Sequence, residues 1–155
     1  MKLAFALLGA AIALPLAAQT NNVPKPDTYA QKLVDRELAR HADIAILVFH
    51  IANPDRSDYP IVASNIGRYG KKADDDDLRV IHTGKPNLEV NATGNHFEIE
   101  MALHDASRNL LGAIAVVYNY KAGEDKEALH RKAESVRTEV ERQIPSLHQL
   151  LASAN

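Results

Sequence analysis

The sequence predicts an α+β fold built on one five-stranded antiparallel sheet with long N-terminal and C-terminal helices, and three observations carry that prediction. Apolar residues recur at helical spacing over Tyr29–His41, Asp74–His82 and Glu124–Leu147. Period-two alternation or short β-branched apolar runs fill Ile44–Ile51, Tyr59–Ser64, Asn87–Asn91, His96–Leu103 and Leu110–Tyr120. The resulting order is helix, two strands, a helical excursion, three strands and a helix. Strands that follow one another through short turns pair antiparallel, whereas a parallel sheet needs a helix between successive strands.

The elements follow in order. Met1–Ala18 carries Lys2, an apolar run from Leu3 to Leu14, then Pro15 and a small-residue exit at Ala17-Ala18. That is the layout of a secretory signal peptide, too short for the roughly 20 apolar residues of a membrane span. Cleavage is expected after Ala18, with a periplasmic or secreted location. Residues 19–27 are polar and contain Pro24 and Pro26, so they read as a linker, and residues 28–155 as the single folded domain. Asp27 or Thr28 caps a first amphipathic helix whose apolar stripe is Tyr29, Leu33, Val34 and Leu38.

Ile44–Ile51 is apolar throughout except for His50, which reads as a strand covered on both faces. The turn residues from Asn53 to Asp58 return the chain into Tyr59–Ser64, completing a hairpin. Asp74-Asp75-Asp76-Asp77 opens the second helix, where negative charge suits the positive end of the helix dipole, and Gly84 and Pro86 close it. In His96–Leu103 the residues Phe97, Ile99, Met101 and Leu103 share one face, and His96, Glu98 and Glu100 the other. Leu110–Tyr120 is its hairpin partner. Leu129, Ala133, Val136, Val140 and Ile144 form the stripe of the last helix, which Pro145 ends or kinks.

The chain has no cysteine, which removes disulfides, thiolate metal sites and a thiol nucleophile. The net charge of −2 gives no broad attraction to nucleic acid or anionic lipid. On that ground the expected partners are a small-molecule ligand and other proteins, with no nucleic acid.

Certain short motifs add to this reading. Tyr59-Pro60-Ile61-Val62-Ala63-Ser64-Asn65 is followed by Gly70-Lys71 and the acidic helix start. Ile81-His82-Thr83-Gly84-Lys85 leads from helix to strand, and Leu103-His104-Asp105 leads through a turn to Asn109-Leu110-Leu111-Gly112-Ala113-Ile114. In this order the motifs resemble the extracytoplasmic PAS-like sensor domains called single Cache domains, over most of Tyr29–Ile144. The resemblance implies a pocket between the sheet and the Asn65–Lys85 segment, and a small residue in the final strand that lets it pack closely against its neighbours. Two departures stand beside it. Members of the family commonly sit between two transmembrane segments, which this sequence does not show, and the aromatic signature of the amino-acid-binding members is missing.

Tyr59, Asn65, Arg68, Tyr69, Arg79, His82 and Tyr118 are the side chains expected to line that pocket. Guanidinium forks and tyrosine hydroxyls suit a small carboxylate. No cofactor is expected. His50 and His82 invite a metal reading, but the seven histidines include no pair at helical spacing, so no metal site is assigned. The four aspartates lack the alternation of a calcium loop. Glu98 and Glu100 share a face, the minimum for an acid/base pair, and read as glutamates on a solvated face. No Gly-x-Ser-x-Gly elbow, phosphate loop or zincin helix is present, so the chain is not read as an enzyme. The leading function is an exported sensor-type domain that binds a small metabolite and signals through a separate partner, either a membrane receptor or a second copy engaged through the long helices. The alternatives are a structural or dimerising module without ligand, and a small periplasmic enzyme.

Overall fold

The computed structural model describes residues 23–154. The leader expected over Met1–Ala18, and its cleavage after Ala18, lie outside the described residues. The elements are α1 (Tyr29–Arg40), β1 (Ile44–Ile51), β2 (Ile61–Ser64), α2 (Asp75–Thr83), β3 (Asn87–Val90), β4 (His96–His104), β5 (Leu110–Asn119), α3 (Lys126–Gln143) and α4 (Leu147–Leu151). The five strands form one sheet in the order β2-β1-β5-β4-β3, with every neighbouring pair antiparallel.

The pleat sends alternate side chains to opposite faces, and the two faces differ in chemistry. Leu47, Phe49 and Ile51 of β1, Phe97, Ile99, Met101 and Leu103 of β4, and Ile114, Val116 and Tyr118 of β5 all enter one core. That core is closed by Ala30, Leu33 and Val34 of α1, by Ala133, Val136 and Val140 of α3, and by Leu150 of α4. The apolar stripes anticipated for both helices are the ones buried. The opposite face carries two small clusters, Val48 with Ile61 and Ala115, and Ala113 with Val80 and Ile81 of α2.

The long terminal helices expected are shorter than supposed. α1 has 12 residues and stops at the C-cap His41. The C-terminal helix divides into α3, of 18 residues, and α4, of 5, because the proline at 145 cannot donate to a continuing ladder and Ser146 starts a new cap. α2 begins in a capping box, with Asp74 accepting from the Asp77 N–H while the Asp77 side chain accepts from the Asp74 N–H.

β2 lies at an edge of the sheet, and the chain itself covers that edge. Ile61 N donates to the Lys71 carbonyl, and Gly70 N to that of Ile61. Gln31 of α1, only 2% exposed, completes the cover. Its Nε2 donates to the Ser64 carbonyl at 3.1 Å and its Oε1 accepts from the Ser64 N–H at 3.0 Å. Gln31→Ala leaves the buried Ser64 N–H without a partner and its carbonyl with the Tyr69 hydroxyl alone, so it is expected to lower stability by about 1–3 kcal/mol, measured by urea unfolding. A loss under about 0.5 kcal/mol would mean that water replaces the amide.

Candidate functional site

Face chemistry and strand register together build a pocket on the side of the sheet away from α1 and α3. At its middle β5 contributes only Ala113, Ala115 and Val117 to this face, so the centre of the sheet is low and leaves space above it. On either side of that low strand the rows read Val48, Ala115, Glu100 and Ile46, Val117, Glu98, while His50 stands opposite Ala113. The first turn of α2 and the loop from Ile66 to Lys71 roof the space. The pocket, open on one side, has a volume of about 430 Å³, with His50, Asp77, Glu98 and Glu100 among its walls and Arg68 and Lys71 contributed by the loop. That size suits a small organic molecule.

Asp77 links the two polar sides of the pocket. Its Oδ2 lies 3.6 Å from His50 Nε2, and both residues are almost wholly buried. The other imidazole nitrogen, Nδ1, is 3.0 Å from the Tyr59 carbonyl, which orients the ring and leaves Nε2 facing the carboxylates. Glu100 is 7% exposed, accepts from Asn87 Nδ2 at 3.4 Å, and lies beside the Asp77 carboxyl, where two buried acids favour sharing a proton. Burial first, and then the hydrogen bond and the negative charge of Asp77, push Glu100 up to about 9. Glu98 is raised as well, by burial and then by repulsion from Asp77 and Glu89. At neutral pH the pocket therefore holds a protonated carboxyl beside its other acids.

Of the seven side chains expected in the pocket, only Arg68 lines it. It sits in the left-handed region at φ 61°, a conformation that costs a non-glycine residue of order 1 kcal/mol and holds it on the roof loop. The other six are placed elsewhere. Asn65 clips β1, accepting from Leu47 N and donating to the Ala45 carbonyl. Tyr59 packs against Val80, Ile81 and Ala113, and the Tyr69 hydroxyl donates to the Ser64 carbonyl. Arg79 pairs on the surface with Asp76 and Asn87, and His82 is exposed near the end of α2. Tyr118 belongs to the core on the far side of the sheet, because it falls one register step from Val117.

Conversely, Glu98 and Glu100 are not on a solvated face: the start of α2 covers the polar side of β4. His50, Asp77, Glu98 and Glu100, which sequence reasoning weighed for other roles and set aside, line the pocket instead. Three of them carried a signal, since His50 is the one polar side chain in an apolar strand and the two glutamates share a face.

No protein-family model matches this chain, and no curated protein matches its sequence. Solved structures do match in fold. The repressor BlcR of Agobacterium tumefaciens aligns with a TM-score of 0.51 at 10% identity, over 78% of this chain and 66% of that one. A putative transcriptional regulator of the IclR family aligns with a TM-score of 0.49 at 8% identity, over 80% of this chain and 97% of that one. At such identities the likeness is one of fold. It corrects one expectation drawn from charge: a sheet and helix arrangement similar to this one occurs in a repressor, so a net charge of −2 does not exclude nucleic acid as a partner.

Proposed function

We propose that this chain is an exported, PAS-like, sensor-type domain that binds a small organic cation, such as an alkylamine, in the pocket beneath α2, and passes its occupancy to a separate protein. The single observation that carries the ligand class is the convergence of Asp77, Glu98 and Glu100 on one partly open pocket of about 430 Å³. The carboxylate class expected from arginines and tyrosines loses its basis, since Arg79 and the three tyrosines lie outside that space and Arg68 and Lys71 face a larger number of acids. A bound ammonium would displace the shared proton and neutralise the repulsion that raises Glu98 and Glu100. Export rests on the pattern of Met1–Ala18 alone.

The alternative of a ligand-free interaction module calls for a filled core and an exposed apolar stripe. The large apolar side chains exposed among the described residues are Val23, Ile66 and Leu88, and Ile66 belongs to the pocket. One observation favours catalysis as a second reading: a buried histidine, an aspartate and a raised glutamate converge as acid/base groups do. Binding is preferred because Asp77 is committed to the capping box of α2, accepting the Asp74 N–H at 2.8 Å.

A thermal-shift and calorimetric series of primary amines, diamines and matched carboxylates tests the proposal. Amines are expected to raise the melting temperature in a saturable manner, equivalent to about 2.7 kcal/mol at a hundredfold excess over Kd. A response to carboxylates alone would overturn the ligand class, and a flat response to both series would overturn ligand binding.

A further inference from the structure

On the other side of the molecule, where the end of α1 meets α3, three metal-ligating side chains converge away from the pocket. Glu37 and His41 are four residues apart, the spacing that places two side chains on one helix face, and Glu139 reaches them from α3. One ligand atom from each lies within 4.8 Å of the other two. His41 Nε2 is 3.1 Å from Glu139 Oε2 and 3.6 Å from Glu37 Oε2. Tetrahedral zinc with bonds of about 2.0–2.1 Å sets its ligand atoms about 3.3 Å apart, so both distances already bracket the required edge.

The independent observation is the state of Glu37. It is 0% exposed, and its Oε2 is buried without a hydrogen-bond partner. A buried carboxylate oxygen left bare is costly, and a cation is what it lacks. Its other oxygen is held in place, accepting from Gln143 Nε2 at 3.0 Å and from Arg40 Nη1 at 3.3 Å. Outer-shell contacts of that kind orient a metal-binding carboxylate. Glu139 and His41 are partly exposed, which leaves an entry path and room for a water as fourth ligand.

We propose that Glu37, His41 and Glu139 form a binding site for one divalent transition-metal ion of the zinc class, which clips the end of α1 to α3. Two carboxylates and a neutral imidazole balance the charge of such an ion and match its preference for mixed oxygen and nitrogen ligands. The ion joins the last turn of α1 to α3 through three side chains already within reach of one another.

The test uses tag-free protein stripped with a chelator. Zinc is titrated by calorimetry, and cobalt(II) by visible absorption, where a tetrahedral site gives intense d–d bands. The parent is expected to bind one equivalent at micromolar or tighter Kd, with a zinc-dependent rise in melting temperature. His41→Ala and Glu139→Gln should each weaken binding at least tenfold, while His82→Ala, at an exposed histidine outside this group, should leave it unchanged. The two variants act on partly exposed side chains, so a folded protein without binding separates loss of the site from loss of the fold. Absence of saturable zinc binding by the parent below about 100 μM would overturn the proposal and leave an ion pair between His41 and its glutamates. Undiminished binding in His41→Ala would overturn it equally.

Discussion

At pH 8 the Glu100→Gln protein is expected to melt about 5 °C above its parent, and the gap should close as the pH falls towards 4. The reason is proton linkage. Glu100 is raised to about 9 in the folded chain, from an ordinary value of 4.5 in the unfolded one. Between those values the folded chain keeps a proton that the unfolded chain has released. Parental stability therefore falls as the pH rises from about 4.5 towards 9, and below about 4.5 the two states bind the same number of protons. Glutamine has the shape of the protonated side chain and, like it, can donate to Asp77. It does so without the cost of keeping a proton that the unfolded chain has released, a difference of several kcal/mol at pH 8 and so at least roughly 5 °C for a domain of this size. Reading the difference between variant and parent cancels the other titrating groups.

The same substitution separates stability from function. An ammonium bound against Glu100 expels the shared proton, so parental affinity for amines should increase between pH 6 and 9. In Glu100→Gln that increase should disappear, with affinity about tenfold lower at pH 8. Calorimetry in buffers of different ionisation enthalpy counts the released proton directly. A variant less stable than its parent at pH 8 would show that Glu100 is charged and well paired in the fold, and the reading of the pocket as a proton-sharing site would fail.

The core was legible because it obeys period. The face of β4 carrying Phe97, Ile99, Met101 and Leu103 is buried as its alternation required, and the stripes of α1 and α3 meet it. Caps were legible in part for the same local reason: Thr28 is one of the two candidates for the first, while Asp74, read for its charge within the first turn, is instead the N-cap of α2. The pocket was harder to read, because alternation states only that Glu98 and Glu100 share a face. It does not say what covers that face. Only the tertiary position of α2 makes it a partly covered acidic pocket, and Asp77 serves at once in the cap of its helix and in the roof of the pocket. Tyr118 shows the converse error. Tyrosine at the end of a strand invites a ligand role, but register, which a single strand does not reveal, turns it into the apolar core.

Gly112→Ala is expected to cost about 4 kcal/mol or more, enough to leave much of the protein unfolded at 37 °C. Gly112 lies within β5, opposite Ile51 of β1 on one side and Leu103 of β4 on the other. A Cβ built there would fall inside the contact distance of the His50 carbonyl oxygen, and 3.0 Å from both the His50 carbonyl carbon and Ile51 Cα. All three atoms are backbone in a paired strand, so no side chain can rotate away, and relief requires β1 and β5 to separate. A small residue was expected to let this final strand pack closely against its neighbours, and Gly112 is a position where it does. Gly94→Ala is the control, because it has positive φ but open space around its Cβ, and it should cost only about 1 kcal/mol. Urea unfolding of both proteins checks the pair, and equal losses would place the clash, and with it the β1–β5 register, in error. The strand that Gly112 admits so closely is also the one that carries His50 into the pocket. Close packing at this glycine and the position of the imidazole are thus one requirement, and a variant forced apart here, if it folds at all, should lose amine binding together with its stability.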